Sequence, residues 1–171
     1  PTVDGVEVWS YSGIYNAKTD ELLSDIGTTM WPDINIQWDG DLLYESCHGN
    51  NNSVYIEQWD YENKSVSRVD SLYSIYNQSV GHYASADTTK KYPLFVGDII
   101  GDWREEVIVI DYESNCLVIY TTQQETEYRM PTLAADRTYR NWMTVKGYKQ
   151  GPTTSFYFGA DMDIKKTFPN V

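Results

Sequence analysis

The sequence predicts an all-β chain organised as about three blades of a β-propeller. Short runs of β-branched and aromatic residues recur along it, Gly, Asn and Asp punctuate the runs, and the runs repeat at a near-constant interval. Helical periodicity of any length is absent, so strands are expected throughout.

The first hairpin runs from Val6 to Tyr11 (VEVWSY) and returns through Ile14 to Ala17 (IYNA). The second runs from Val54 to Asp60 (VYIEQWD), turns at Glu62-Asn63-Lys64 and returns from Val66 to Val69. The third runs from Val107 to Asp111 (VIVID), turns at Glu113-Ser114-Asn115 and returns as Leu117 to Tyr120 (LVIY). Their starts lie about 50 residues apart, and a period of about 40–50 with several short strands per unit is what propeller blades produce. Hairpins in a plain β-sandwich would give a similar pattern. A propeller closes with about four or more blades, and three alone would leave sheet edges open. The spacing therefore implies partner structure outside these 171 residues.

Charge limits the partners. Thirteen Lys and Arg against 25 Asp and Glu leave a net charge of −12, a field that repels phosphate backbones and argues against nucleic acid. The same field repels an acidic polysaccharide unless bound cations reverse its sign locally, and solubility is the plainer reading of the acidity. No apolar run reaches the roughly 18 residues of a membrane-spanning helix, so no membrane partner is expected. Pro1 opens directly into a strand-like segment without a signal peptide, the start expected of a mature or cut chain.

The most informative segment is Gly97 to Val107 (GDIIGDWREEV), in which Asp98, Asp102 and Glu106 fall at relative positions 1, 5 and 9. Calcium takes about six to eight oxygens from carboxylates and backbone carbonyls on a tightly turned loop. Gly101 permits the turn, and the carbonyls of Ile100 and Arg104 would complete the shell. The pattern resembles the calcium loops of FG-GAP-type propeller blades. An acidic hairpin loop with Arg104 paired to a neighbouring carboxylate is the competing reading. In Asp33 to Asp41 (DINIQWDGD) oxygens fall at alternate positions, which makes Asp39 and Asp41 a second candidate calcium group. Alternation is also one face of a strand, and Asp39-Gly40 an ordinary turn.

The remaining candidates carry less. His48 and His82 have no ligand or triad partner at a motif spacing. Cys47 and Cys116, in strand-like contexts, read as buried thiols, with a disulfide left open. The sequons at Asn51, Asn63 and Asn77 mean little in a chain expected to be bacterial.

Several stretches together resemble polysaccharide lyase family 11, the rhamnogalacturonan lyases. They are Glu7-Val8-Trp9, Ile14 to Leu23 (IYNAKTDELL), Gln37 to Glu45 (QWDGDLLYE), Gly97 to Ile108 (GDIIGDWREEVI), Leu117 to Arg129 (LVIYTTQQETEYR) and Gly147 to Gly159 (GYKQGPTTSFYFG). The order is the family's, coverage is nearly complete, and Phe168 to Val171 (FPNV) looks like the end of that catalytic domain. The resemblance implies an eight-bladed β-propeller, of which residues 1–171 would supply the C-terminal portion, about three blades, with the remainder upstream. It also implies secretion from a bacterium, calcium as cofactor, and cleavage of the rhamnosyl–galacturonosyl backbone of pectin by β-elimination. Calcium and a cationic side chain would neutralise the uronate and so let a polyanion approach an acidic protein.

The family places an Asn-Gly-Thr-Lys-like loop shortly before GDWREEV. Asp87-Thr88-Thr89-Lys90 stands there, so Thr89 and Lys90 match while Asp87 and Thr88 depart. On this resemblance Lys90 is the candidate base or neutralising cation, against a solvated loop lysine beside Lys91. Thr88, Thr89 and Tyr148 are candidate substrate contacts, and Asp87, with a charge in place of an amide, is a candidate calcium ligand. A family arginine would lie before Pro1, so this chain is expected to be inactive alone. A non-catalytic, calcium-braced carbohydrate-binding module, with exposed Trp31 and Trp38 stacking on sugars, is the main alternative. It would not need Lys90. An integrin-like interaction propeller shares only the calcium loop.

Overall fold

The computed structural model describes residues 7–10, 12–25, 34–50, 53–60, 63, 65–73, 93, 95–111, 116–145 and 151–169. Within them the chain forms three antiparallel sheets that follow one another along the sequence. The first contains β1 (Glu7–Ser10), β2 (Gly13–Asn16) and β3 (Leu22–Ser24). The second contains β4 (Ile34–Ile36), β5 (Glu45–Asn50), β6 (Ser53–Asp60) and β7 (Ser65–Tyr73), in that spatial order. The third contains β8 (Phe95–Gly97), β9 (Glu106–Asp111) and β10 (Cys116–Tyr120), with β9 in the middle.

The hairpins read from the sequence are β1–β2, β6–β7 and β9–β10, with Trp9 opposite Ile14, Trp59 opposite Val66 and Ile110 opposite Leu117. The chain is thus mostly β, and the described sheets do not close on one another.

Alternation explains which faces are buried. In β6, Val54 and Ile56 point into the core, and a bulge between Ile56 and Glu57 then shifts the phase. The extra residue is Val69 on β7, since Ile56 pairs with Asp70 and Glu57 with Arg68, and beyond it Glu57 and Trp59 of β6 are buried. Ile34, Ile36, Trp38, Cys47, Val54, Ile56 and Leu72 of the second sheet and its connector share one apolar cluster with Val96, Val107 and Val109 of the third. Each such side chain contributes about 1.5–3 kcal/mol on full burial, so this shared core fastens the two sheets together. The first sheet touches the second through Trp9 and Trp59, edge to face with ring centres 5.8 Å apart.

Helices correct the expectation of strands throughout. A 3-10 turn at Leu133–Ala135 leads into α1 (Arg137–Thr144), and α2 (Ile164–Thr167) follows near the end. Asp136 starts α1 by accepting from the backbone N–H groups of Thr138 and Tyr139, which would otherwise be unsatisfied. Two turns are too short to build a periodic pattern, and the helix packs on the protein through Tyr139 and Met143. Those two join Leu42, Trp103, Met130, Leu133 and Phe158 in a second apolar cluster, distinct from the inter-sheet core.

Three further expectations change. Trp38 is not an exposed sugar-stacking ring but 1% accessible, because the shared core closes over it. Cys47 is buried as expected, whereas Cys116 is exposed at the start of edge strand β10, and the two form no disulfide. His48 has a partner: its Nε2 lies 2.9 Å from Glu57, supplied by the neighbouring strand. No helix of the described residues is long and apolar enough to cross a membrane.

Glu57 also accepts from Arg68 across the β6–β7 ladder at 3.1 Å. Burial pushes its carboxyl up, but the bonds from His48 and Arg68 outweigh burial and hold it below its ordinary value. A depressed carboxyl contributes stability that is present above the unfolded carboxylate range and is lost as pH falls through the folded one. Glu57→Gln is therefore expected to cost about 1–3 kcal/mol at pH 7, with the gap to wild type closing below about pH 4. Urea melts at the two pH values measure it, and a gap that persisted in acid would show that the carboxylate charge is not what stabilises this ladder.

Candidate functional site

The loop between β8 and β9 carries the acidic motif, and its carboxylates are turned onto backbone N–H groups. Asp98 Oδ1 accepts from Gly101 N–H at 2.7 Å, and Oδ2 accepts from the Thr132 hydroxyl and the Leu133 N–H, both at 2.7 Å. Glu106 Oε2 accepts from Ile99 at 2.8 Å and Ile100 at 3.0 Å, and the Thr121 hydroxyl reaches Oε1 at 3.4 Å. Asp102 accepts from the Arg104 N–H at 3.1 Å, while the Arg104 guanidinium pairs with Asp102 and bonds the Gln124 carbonyl. Gly101 takes a positive φ of 89°, as the tight turn requires. Trp103 also sits at a positive φ, 71°, which costs a bulky residue on the order of 1–3 kcal/mol. Burial of its ring stacked on Phe158 offsets that strain.

The pairing of Arg104 with Asp102 that the competing reading of this loop expected is present. The carboxylates of Asp98, Asp102 and Glu106 do not converge as a group. The set of three described acidic residues whose oxygens all come within 4.8 Å of one another is Asp39, Asp41 and Glu45.

That second set lies on the connector between β4 and β5. Gly40 at φ 82° and Leu42 at φ 72° fold the connector back, and the Thr126 hydroxyl donates to the Gly40 carbonyl at 2.8 Å. Asp39 accepts from Asp41 N–H at 3.1 Å, and Asp41 accepts from Leu43 N–H and the Gln58 amide, both at 2.7 Å. Glu45 Oε2 accepts from Trp38 N–H at 2.7 Å, whereas its buried Oε1 has no hydrogen-bond partner. Burial, then the charge of Asp41, pushes the Asp39 carboxyl up to about 6. Burial, then Asp39, pushes Glu45 well above the carboxylate range. The donors are carboxylates only, a set that suits a hard cation such as calcium. Glu45 was missed from sequence, although its distance from Asp41 within an Asp-Gly-Asp turn could have drawn attention to it.

Between the two acidic groups lies Glu105, also absent from the sequence reading. It is buried, exchanges backbone and side-chain bonds with Gln37 at 2.8 and 2.9 Å, and accepts from the Tyr139 hydroxyl at 2.6 Å. Burial pushes its carboxyl up to about 7. The same hydroxyl accepts from Asp98 N–H at 2.7 Å, so β4, the acidic loop and α1 meet at one point. Asp87, Thr88, Thr89, Lys90, Tyr148, Trp31 and His82 lie outside the described residues.

Residues 1–168 match the rhamnogalacturonan lyase family 11 C-terminal domain. The chain belongs to rhamnogalacturonan lyase family 11. Among relatives in the family, it is 37% identical over 166 residues to the rhamnogalacturonan endolyase YesW of Bacillus subtilis, covering 95% of this chain and 24% of that protein. It is 32% identical to the exolyase YesX of the same organism, covering 95% of this chain and 25% of that one. The crystal structure of YesW matches with a TM-score of 0.74 at 34% identity, over 91% of this chain and 25% of that one. A Bacillus licheniformis family 11 lyase matches at 0.73 and 37%, over 94% of this chain and 26% of that one. The chain thus spans about a quarter of the length of these family 11 relatives.

Tyr139→Phe would leave Glu105 Oε1 and Asp98 N–H without their shared partner in a buried place. The expected loss is about 2–4 kcal/mol on urea unfolding, more than a surface tyrosine would give. A loss under about 0.5 kcal/mol would mean that this meeting point does not hold the fold.

Proposed function

We propose that this chain is the C-terminal portion of the catalytic propeller of a secreted bacterial rhamnogalacturonan lyase, active only with the rest of that propeller. The observation that carries the reading is family 11 membership over residues 1–168, together with similarity to both an endolyase and an exolyase. Three sheets of three or four antiparallel strands, met in sequence order, agree with blades of an eight-bladed ring. Leu117 and Ile119 on edge strand β10 and Val8 on β1 are about half exposed, as faces awaiting neighbouring blades would be. The carbohydrate-binding alternative loses one of its two aromatic platforms, since Trp38 is buried.

The reaction removes the C5 proton of galacturonate. The C–H electron pair becomes the C4–C5 double bond, and the C4–O bond breaks with its pair on the departing sugar oxygen, which takes up a proton and leaves as a hydroxyl. Lys90 is the residue we assign to the proton or to the uronate charge; as a base it must be uncharged. Thr88, Thr89 and Tyr148 would hold the sugar. Calcium, when bound, would supply positive charge that neutralises the uronate carboxylate. Its candidate ligands are Asp39 and Asp41, which belong to a convergent group, and Asp87. Asp98, Asp102 and Glu106, with the Ile100 and Arg104 carbonyls, remain proposed ligands, although their loop is already closed by hydrogen bonds.

In the intact enzyme, Lys90→Ala is expected to lower formation of the 4,5-unsaturated product on the order of 10²–10⁴-fold without changing the melting temperature. The product's ultraviolet absorbance gives the rate directly. Activity within a few-fold of wild type would remove Lys90 from the mechanism, and no elimination product from the wild-type enzyme on rhamnogalacturonan would remove the reading itself.

A further inference from the structure

We infer that Arg137 and Arg140, on the exposed face of α1, form a subsite that holds a uronate carboxylate of the polysaccharide chain. The inference rests on the proposed lyase reading and adds where an acidic protein grips its acidic substrate. It involves neither of the two acidic groups.

The distribution of charge points to this face first. Residues 128–160 contain Arg129, Arg137, Arg140, Lys146 and Lys149 against one acid, Asp136, so this stretch carries +4. The rest of a chain whose net charge is −12 therefore carries −16. Arg129, Arg137 and Arg140 are exposed, while Lys146 and Lys149 lie outside the described residues.

The second observation is that the fold leaves the two helix charges unanswered. Asp136 stands four residues before Arg140, a spacing at which ion pairs form. Its carboxylate turns instead to the N–H groups of Thr138, Tyr139 and Ser155 and to the Ser155 hydroxyl. The ion pairs among the described residues are His48–Glu57, Arg68–Glu57 and Arg104–Asp102, and neither arginine enters one. Asp98 and Glu105 meet α1 through Tyr139, on its buried side. Arg137 opens the helix, the end at which its dipole disfavours a cation, and no acidic residue lies in the first turn. Like charges one turn apart also repel, so the pair gives α1 no stability of its own.

The pair is suited to a carboxylate. Residues three apart on a helix have Cβ atoms about 5–6 Å apart, so both guanidinium groups can reach one anion. Arg140 Nη1 donates to the Ala134 and Ala135 carbonyls at 2.7 and 3.2 Å. A guanidinium has several more N–H donors, so this tether holds the group in place and leaves donors for a ligand. Ordering it beforehand removes part of the entropy cost of binding. Its planar fork matches the two oxygens of a carboxylate. In a rhamnosyl–galacturonosyl backbone each charged sugar is flanked by uncharged ones, which a two-arginine patch on an acidic protein can accept without the repulsion that a densely charged phosphate backbone would meet.

The test uses the intact enzyme. Arg137→Gln/Arg140→Gln is expected to raise KM for rhamnogalacturonan about fivefold or more while kcat stays within about twofold, the signature of lost ground-state binding. Added salt should raise the wild-type KM and raise that of the variant much less, because screening acts on exposed charge. Gels containing polygalacturonate should retard the wild type more than the variant, and dextran gels should retard both alike. Should loss of Arg140 unsettle the turn it bonds, Arg137→Gln alone carries the same directions. Arg137→Lys/Arg140→Lys keeps the charge but not the fork, so its KM should fall between the two while its salt dependence stays that of wild type. A lysine pair as weak and as insensitive to salt as the glutamine pair would show that the helix rather than its charge had been disturbed, and would overturn the subsite. Wild-type KM, salt dependence and retardation in a folded glutamine variant would overturn it as well. A wild-type enzyme that forms no unsaturated product would instead remove the lyase reading, and the polygalacturonate gels would still decide the subsite.

Discussion

A single buried carboxylate, Glu105, joins the parts of this fold that the sequence keeps apart. Two bonds to Gln37 tie the third sheet's entry loop to the end of β4, and one from Tyr139 ties both to α1. Apolar contact between the second and third sheets is generous but undirected, since the hydrophobic effect scales with area and does not choose a register. The bonds at Glu105 have direction, and they fix where Gln37 and Trp38 sit. The position of the whole 37–45 turn follows. Burial raises the acid's pKa because its charged form has lost water, and the Tyr139 and Gln37 donors return only part of that loss.

The strands were legible because a strand with one buried face writes its period into the sequence. Val54 and Ile56, or Val107 and Val109, alternate with less buried neighbours, and the turns between strands carry Asn, Asp or Ser. The helices were not legible for the converse reason. Helix α1 has only two turns and begins on a cap, Asp136, whose side chain also accepts from Ser155 N–H and hydroxyl nineteen residues on. A helix stabilised by a distant loop has no local signature strong enough to read. Trp38 was misplaced by the same logic: a tryptophan beside Asp and Gly looks like a loop aromatic until a second sheet closes over it.

The site was half legible. Spacing drew attention to Asp98, Asp102 and Glu106, and to Asp39 and Asp41, because carboxylates near a glycine are what a cation loop needs. Spacing alone could not say which group converges. In the 98–106 loop Arg104 turns back on Asp102, and the first turn of backbone N–H groups points inward at Glu106 and Asp98. The spacing of Glu45 from the Asp-Gly-Asp turn was only a faint signal, because its importance comes from burial, which depends on what packs over it.

Net charge, too, takes on a different meaning once the acids are placed. A charge of −12 suggested a solubilising surface, yet Glu45, Glu57, Asp98, Glu105 and Glu106 are all buried. Buried acids need an answer from donors, cations or protons. Asp98 and Glu106 are answered by N–H and hydroxyl donors, Glu57 by a histidine and an arginine, and Glu105 by a tyrosine and a backbone amide. Each of these answers is built into the chain and costs nothing further when the protein meets its surroundings. Glu45 stands apart, with one oxygen bonded to the Trp38 N–H, the other without a donor, and the carboxylates of Asp39 and Asp41 close by. Among the described buried acids it is the one left with an oxygen that lacks a donor, and burial, then the charge of Asp39, raises its pKa so that a proton is the answer the chain leaves it.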